Sequence, residues 1–404
     1  MFPPSTRSLA LSQWQSYLPA AGAYAERRNH VTPGHPAVSR LSPALRTRLV
    51  LEEEIVGSLL ARYPFPRVEK LAQEILWRTY WKGWLEQRPS VWTHYQAWLR
   101  TNRPALPSAL QTRIAAVESG QSGVAFMDAL TRELKTTGYL HNHARMWFAA
   151  FWVHTRQLPW QAGADFFYRH LLDADAASNT LSWRWVAGLQ TAGKTYLVRR
   201  SNLEKYAAAA LSANPEGLEE LADSRATAAP IPPDPNPPPR PLPPAPAASL
   251  PSGPHALWLH WDDLRVDGPA IAPALAPSAI LAIWPTTLVA DWSPVKINHF
   301  RAALRDGLDR AAAAYQCPGV WLEADNPAVA IASWLRENPH HHLVAQRPLV
   351  GDWSDVPPAL ATAGVPTTWL ERAWDRRFFP MATKGFFGFW EAARPAVEGM
   401  AARS

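Results

Sequence analysis

Between residues 227 and 254 the chain reads TAAPIPPDPNPPPRPLPPAPAASLPSGP. Each proline fixes φ near about −65° and removes an amide donor, so neither a helix nor an interior strand can pass through such a run. The segment has to be extended and polyproline-like, a semi-rigid spacer. Any compact structure must therefore lie on one side of it or the other. A groove-binding PxxP ligand is the sharper alternative, although such patterns arise by chance in a tract this dense.

The two sides read differently. Before the tract, residues 68–85 place Val68, Leu71, Ile75, Leu76 and Tyr80 near a 3.6-residue period. Ser108 is suited to cap a helix running to about Val117, and residues 124–134 form another that Gly138 stops. Residues 142–154, 162–172 and 176–186 follow as helices, with Pro159 between the first two. After the tract, short apolar runs at 256–261, 279–284, 319–324 and 342–346 alternate with helical patterns at 295–315 and 327–337. Buried parallel strands joined by crossover helices give that alternation. The expected fold is α plus α/β: an all-helical domain over 1–224, a linker over 225–253, and a five-stranded parallel, Rossmann-like α/β domain over 254–404.

Composition narrows the class. With 404 residues, 47% hydrophobic and 18% charged, the chain is long enough for two cores and too apolar to be disordered. No apolar run approaches the roughly 20 residues of a membrane helix. The opening MFPPSTRSLALSQW lacks a basic stretch followed by an apolar core, so no signal peptide is expected. Cys317 is the single cysteine, which excludes an internal disulfide framework and a cysteine-based metal cluster. A reducing, cytoplasmic setting and a monomer are expected. Most of the 21 Trp should be packing material. Residues 1–224 hold 25 of the 40 Lys and Arg but 18 of the 34 Asp and Glu, so the positive excess lies there. A basic surface suits a phosphate backbone, or is merely solvated.

Residues 137–185 carry the chemistry. Asn142, Arg145 and Met146 fall within one helical turn, and Asp173 and Asp175 sit in a short break before the next helix. Buried carboxylates are costly unless paired, and Arg145 is the evident partner. On these residues alone, a structural ion pair at a helix junction is the plainer reading. The other is a polar edge for a flavin ring.

Several separated segments, in order, resemble the DNA photolyase/cryptochrome family of flavoproteins. They are Tyr24 in YAERRN, then Ser39, Arg40, Leu41 and Ser42 in VSRLSP, then Glu74, Trp77 and Arg78 in EILWRTYW. GYLHNHARM follows with Asn142 and Arg145, and DADAASNTLSWRW with Asp173, Asp175 and Asn179. The resemblance spans residues 24–206, and the long extension usual after this region is missing. It implies FAD, with Ser39 and Ser42 toward the diphosphate and Arg145 beside the ring's N5 and carbonyl. It further implies Asp173 at the imide edge, Asn179 facing N5, and Arg78 on phosphates or a carboxylate. Tyr24, Arg40, Leu41, Asn142 and Asp175 complete the cofactor set. Trp183 and Trp160 match the inner members of an electron-hopping chain, and Trp92 and Trp98 both remain candidates for the outer one.

The same resemblance assigns a substrate pocket. Trp77 and Trp185 match its aromatic walls, where stacking on indole contributes about 1–3 kcal/mol per base. Glu74, Asn142 and Met146 match the residues that hold a cyclobutane pyrimidine dimer. Histidines at the last two positions would point to the (6-4) lesion instead. His143 stands where repair enzymes commonly have arginine; it would contact phosphate or base, or be a surface histidine. In the second half, Asp263, Leu264, Arg265, Asp267 and Pro269 resemble the opening of the family's antenna domain, which implies a permuted domain order. An unrelated docked α/β domain is the competing account. A second antenna chromophore is possible, with no residue pattern that identifies one. The run His340–His342 suits a loop better than a metal site, and residues 378–392 suit docking onto the helical domain.

Three functions follow as expectations. The first is a deoxyribodipyrimidine photolyase-like lyase, repairing dimer-containing DNA by light-driven electron transfer from reduced FAD, without a metal. The alternative is a cryptochrome-like blue-light photoreceptor without repair activity. The third is a flavin protein that has lost its chemistry and keeps only nucleic-acid affinity.

Overall fold

A computed structural model of the chain describes residues 3–191, 195–221, 228–243, 250–267, 275–338 and 342–400. The first 220 residues hold thirteen α-helices among the described residues. These are α1 (Arg7–Tyr17), α2 (Tyr24–Arg27), α3 (Ser42–Arg46), α4 (Glu52–Arg62), α5 (Phe65–Glu86), α6 (Ser90–Thr101) and α7 (Ser108–Glu118). They continue as α8 (Ala125–Thr137), α9 (Asn142–Ala150), α10 (Trp160–His170), α11 (Ala176–Val186), α12 (Arg200–Tyr206) and α13 (Ala208–Ser212).

Local chemistry explains several boundaries. Gly138 ends α8 at φ 67°, and a side chain there would meet Leu172 as well as strain the backbone. Ser108 is the first helical residue of α7 and not its cap; Pro107, at φ −55°, stands before it. The expected helix over 142–154 closes as α9 at Ala150 and continues as one wide π turn, Phe151–Thr155. Asp175 caps α11 by accepting from Ser178 N at 2.7 Å.

The second half holds β1 (His255–Leu259), β2 (Ala279–Pro285), α14 (Pro294–Tyr315), β3 (Gly319–Ala324), α15 (Pro327–Glu337), β4 (His342–Gln346), α16 (Val356–Thr362) and β5 (Thr367–Leu370). The strands form one parallel sheet in the order β3-β2-β1-β4-β5, with Leu257 opposite Ile280 on one side and Val344 on the other. All residues of β1 and β2 are buried, which accounts for their unbroken apolar runs. The strand order reverses between β1 and β4, the place where open α/β sheets present a crevice. His342 begins β4, its ring bonded to Thr368 Oγ1 at 3.1 Å, while His340, His341 and Pro269 lie outside the described residues.

After β5 the chain returns to the helical half as α17 (Ala373–Phe378) and α18 (Phe386–Glu398). Trp374 Nε1 donates to Thr79 Oγ1 at 3.0 Å, Trp390 Nε1 to Glu69 Oε1 at 3.1 Å, and Tyr80 Oη to Lys384 O at 2.8 Å. Gly83 permits this approach, since a side chain there would lie 2.8 Å from Phe379 Cα.

The two halves meet through buried charge. Arg46, 2% exposed, donates to Asp262 at 2.8 Å and to Asp352 at 3.3 Å. Arg48 bonds Asp375 at 2.6 and 2.9 Å and Asp263 at 3.3 Å, and Arg372 closes on Asp263 at 2.5 and 2.7 Å. The proline-rich tract carries no helix or strand over residues 228–243 and is tied to the helices at several points. Buried Arg184 pairs with Asp234 and donates to Asn236 Oδ1 at 3.1 Å. Arg88 Nε donates to Pro237 O at 3.0 Å, and Arg240 N to Gln87 O at 2.9 Å.

Candidate functional site

The helix junction after α10 gathers two acids and two guanidinium groups. Arg145 Nη1 donates to Asp173 Oδ1 at 2.9 Å, while its Nε donates to Leu140 O at 2.9 Å. Arg78 Nη1 donates to Asp173 O at 3.0 Å, to Ser178 Oγ at 3.2 Å, and to Asp175 Oδ2. Burial by itself would raise both carboxyls. The guanidinium groups outweigh it, Arg145 and Arg78 for Asp173 and Arg78 for Asp175, and both stay below the usual range. The Ser42 hydroxyl also reaches Asp173 and lowers it further. Arg78 and Asp175 are thus occupied with each other, and Asp175 additionally caps α11.

The cluster keeps an open side. The Arg145 side chain is 21% exposed against 2% for Asp173. Its Nε and Nη1 are engaged, its Cζ lies 5.5 Å from the Tyr139 ring centroid, and the part-exposed guanidinium is backed by a buried anion. That donor set suits the polar edge of a planar heteroaromatic ring. Asn142 is exposed on the first turn of α9, and Met146 is half-buried behind it. Asn179 is buried, its Nδ2 donating to Ala164 O at 2.8 Å.

The VSRLSP segment turns sharply at Arg40, whose φ of 54° is left-handed. Gln13 Nε2 donates to Ser39 O at 2.6 Å, Leu41 is buried at the start of α3, and Ser42 opens that helix. Ser39 and Ser42 therefore lie on either side of one tight bend, with Ser42 linked to the acid cluster.

Tyr24 and Glu74 come together through Arg28, which the sequence reading overlooked. Arg28 pairs with Glu74 and hydrogen-bonds Tyr24. Burial pushes the Tyr24 phenol well up, with the Glu74 charge adding to it and Arg28 opposing.

The histidines are packing residues here. His143 is 9% exposed, which corrects its reading as a surface histidine. Its Nδ1 meets Asn29 O at 2.9 Å, its Nε2 meets Tyr196 Oη at 3.3 Å, and it stacks on Trp147 at 4.3 Å. Burial lowers its pKa. His141 was not singled out in the sequence. Burial, and then the neighbouring His35, His143 and Arg145, push it down to about 3. Held neutral, its Nδ1 accepts from His143 N at 3.1 Å and caps α9.

The tryptophans occupy separate places. Trp183 is 2% exposed and touches Trp152 and Phe167, at 6.1 and 5.0 Å between ring centroids. It packs over Gly163, where a side chain would come within 2.4 Å of its ring. Trp160, one turn earlier on α10, stacks on Tyr95 at 5.8 Å. Of the two outer candidates, Trp92 touches Tyr95 at 5.4 Å, while Trp98 makes no such ring contact among the described residues. Trp185 stacks on Tyr196 at 6.1 Å. Trp77 is covered on one face by Phe386 of α18, at 3.7 Å and 7° from parallel.

Arg46, Arg48, Tyr168 and Asp352 also escaped sequence reasoning. The faint signal was ALRTRLVL, two arginines inside an apolar run that cannot pair with each other. Among the described residues, no group of three or more metal-ligating side chains converges, and no helix is long and apolar enough to cross a membrane.

Residues 71–210 match the family described as the FAD binding domain of DNA photolyase. The deoxyribodipyrimidine photo-lyase of Escherichia coli K12 is 29% identical over 201 residues, 48% of this chain and 41% of that protein. That of Streptomyces griseus is 34% identical over 156 residues, 38% of this chain and 33% of that one. A cryptochrome DASH of Ostreococcus tauri is 30% identical over 187 residues, covering 45% and 33%. The chain thus spans about two fifths or less of these relatives' lengths. Among solved structures, a class III photolyase from Agrobacterium tumefaciens (25% identity, TM-score 0.43) and a Synechocystis sp. PCC6803 cryptochrome (26%, 0.44) each match 50% of this chain and 43% of their own. Within the helical half, residues 71–210 match the FAD-binding domain family of DNA photolyase, and the relatives that share this half include both photolyases and a cryptochrome.

Proposed function

We propose that this protein binds FAD at the Arg145–Asp173 edge and repairs cyclobutane pyrimidine dimers in DNA by light-driven electron transfer. The observation that carries it is a buried aspartate held ionised against a half-open guanidinium, beside the Ser39–Ser42 bend. When bound, the reduced cofactor supplies the electron. The protein's part is to position the ring, exclude water and present the substrate. In this reading Arg145 donates to the ring's N5 edge, Asp173 accepts at the imide edge, and Ser39 and Ser42 meet the diphosphate. Tyr24, Arg40, Leu41, Asn142 and Asn179 complete the pocket, while Arg78 and Asp175 hold it from behind. Glu74, Asn142 and Met146, with Trp77 and Trp185, face the flipped lesion. The basic helical half would hold the DNA backbone.

The deciding experiment is blue-light repair of a dimer-containing oligonucleotide by the reduced, flavin-loaded protein. Turnover is expected; a fully reduced holoprotein that leaves the dimer intact would refute repair.

Two contacts favour the second reading, a photoreceptor without repair activity. Phe386 covers one face of Trp77, and Arg28 is paired with Glu74, so two lesion-facing groups are already engaged. Phe386→Ala separates the readings. In a repair enzyme it should raise affinity for dimer DNA over undamaged DNA; in a photoreceptor neither DNA should bind preferentially.

The reading extends to the second half. We take residues 254–404 as an antenna-like domain in permuted order, joined to 1–224 by the tract at 225–253. A cavity of about 490 Å³ lies at the carboxyl ends of β1, β4 and β5, with residues 240–243 on its rim. His260 Nδ1 and Gln346 Nε2 are buried there without partners among the described residues, polar groups suited to a second ring-shaped chromophore. Absorbance beyond the flavin bands in the purified protein would reveal one. A monomer in the reducing cytoplasm completes the proposal, and size-exclusion chromatography tests the first part.

A further inference from the structure

An unbroken run of aromatic rings leads from Trp160 to the seam between the halves. Trp160 stacks on Tyr95 at 5.8 Å, Tyr95 lies 5.4 Å from Trp92, and Trp92 lies 5.7 Å from Tyr168. The two phenols in this run have opposite surroundings. The Tyr95 hydroxyl is buried with no hydrogen-bond partner among the described residues. The Tyr168 hydroxyl donates to Asp352 Oδ1.

Asp352 is built to take a proton. Its side chain is 3% exposed, and its other oxygen accepts from Trp261 Nε1 at 3.0 Å and from Arg46 Nη2 at 3.3 Å. Burial raises its carboxyl above the ordinary range, although Arg46 pulls the other way. Lys296 Nζ lies 4.5 Å above the Tyr168 ring and donates to Tyr168 O. Burial brings Lys296 down to about 7, and a phenol radical cation is itself a strong acid, so oxidation of Tyr168 is accompanied by loss of its proton.

We propose that Tyr168 is the terminal electron donor of a relay running from Trp160 through Tyr95 and Trp92, and that Asp352 accepts its phenolic proton. The inference rests on the FAD site proposed above and on the electron-hopping chain that the family resemblance assigns to Trp183 and Trp160; drawing an electron inward through that chain to an oxidised cofactor would leave a vacancy on Trp160. In the last step the Trp92 radical cation regains one electron from Tyr168. The Tyr168 O–H bond breaks as Asp352 Oδ1–H forms. The products are neutral Trp92, a neutral tyrosyl radical and a protonated Asp352, so charge and protons balance. Tyr95 has no acceptor for its proton and only bridges. The end of the relay therefore lies against the sheet.

The test is flash photolysis of the oxidised, flavin-loaded protein, read by transient absorption and electron paramagnetic resonance. The expected end product is a tyrosyl radical that Tyr168→Phe abolishes, leaving a tryptophanyl radical that recombines at least tenfold faster. Tyr95→Phe should leave the tyrosyl signal in place. A wild-type end product that is tryptophanyl only, or a tyrosyl signal that survives Tyr168→Phe, would overturn the relay. A chain that takes up no flavin refutes the proposed function instead. Oxidation of the flavin-free chain by azidyl radicals in pulse radiolysis then decides the relay alone. Conversion of tryptophanyl to tyrosyl radical should fall severalfold in Tyr168→Phe, and an unchanged yield would refute it.

Discussion

Asp173 is the residue on which the site turns, because its charge has no water to fall back on. Replacing it by Asn leaves Arg78 and Arg145 facing each other across a neutral amide. Removing one partner of a buried pair costs about 3–5 kcal/mol, and the lower end is expected here because Arg145 remains part-exposed. Urea unfolding of Asp173→Asn measures that cost, and equilibrium dialysis with FAD should show uptake falling by more than tenfold. Asp263 permits a cleaner test of sign. Burial opposes its ionisation, but Arg372 and Arg48 bring it down to about 2. Its folded pKa is thus below the unfolded value near about 3.9. The stability it contributes is present above pH 4 and lost as pH falls toward 2, about 2–3 kcal/mol in all. Thermal unfolding of Asp263→Asn should show a correspondingly flatter acid limb than the parent; parallel curves would contradict the assignment.

Glycines set the closest approaches between elements. At Gly163 of α10 an added methyl would strike the Trp183 ring, and at Gly83 of α5 it would strike the backbone at Phe379. Overpacking of this kind costs about 1–3 kcal/mol. Gly83→Ala should loosen α17 and α18 selectively, seen as faster hydrogen exchange across residues 373–398 while the sheet stays protected. How far the sequence discloses such elements depends on how local their causes are. The bounds of α11, β3, α15 and β4 are legible because capping residues or sharp breaks flank the apolar runs. β5 has only four residues, TTWL, most of them half-buried, and its own composition says little; neighbouring β4 supplies the pairing. The π turn at 151–155 has no sequence signature. In the site, Arg145 and Asp173 are legible because a single helix and one turn separate them. Arg28 on Glu74 and Phe386 on Trp77 are not, since partners 46 and 309 positions apart are joined only by the finished fold.

At the scale of the whole molecule, Arg46 and Arg48 carry the connection between halves. Both sit two residues apart at the end of the segment that also bears Ser39 and Ser42, so the bend and the interface share one stretch of backbone. Arg46→Met would leave Asp262 and Asp352 without their counter-charge, at a cost of about 3–5 kcal/mol. Calorimetry should then resolve two unfolding transitions where the parent shows one. The same substitution should disturb the Tyr168 end of the aromatic run, because Asp352 would lose the cation that orients it.

The way the chain ends has its own consequence. Having left the helices for the sheet, it comes back, and Trp374, Phe379 and Trp390 clasp the helix that bears Trp77. A protease cut in the proline-rich tract would therefore produce two polypeptides, each embracing the other. They should co-elute as one species under native conditions and part only in denaturant. The same topology makes the protein a candidate for separate expression of its two pieces, with reassembly reported by recovery of the fluorescence of the wild-type Trp77–Phe386 contact.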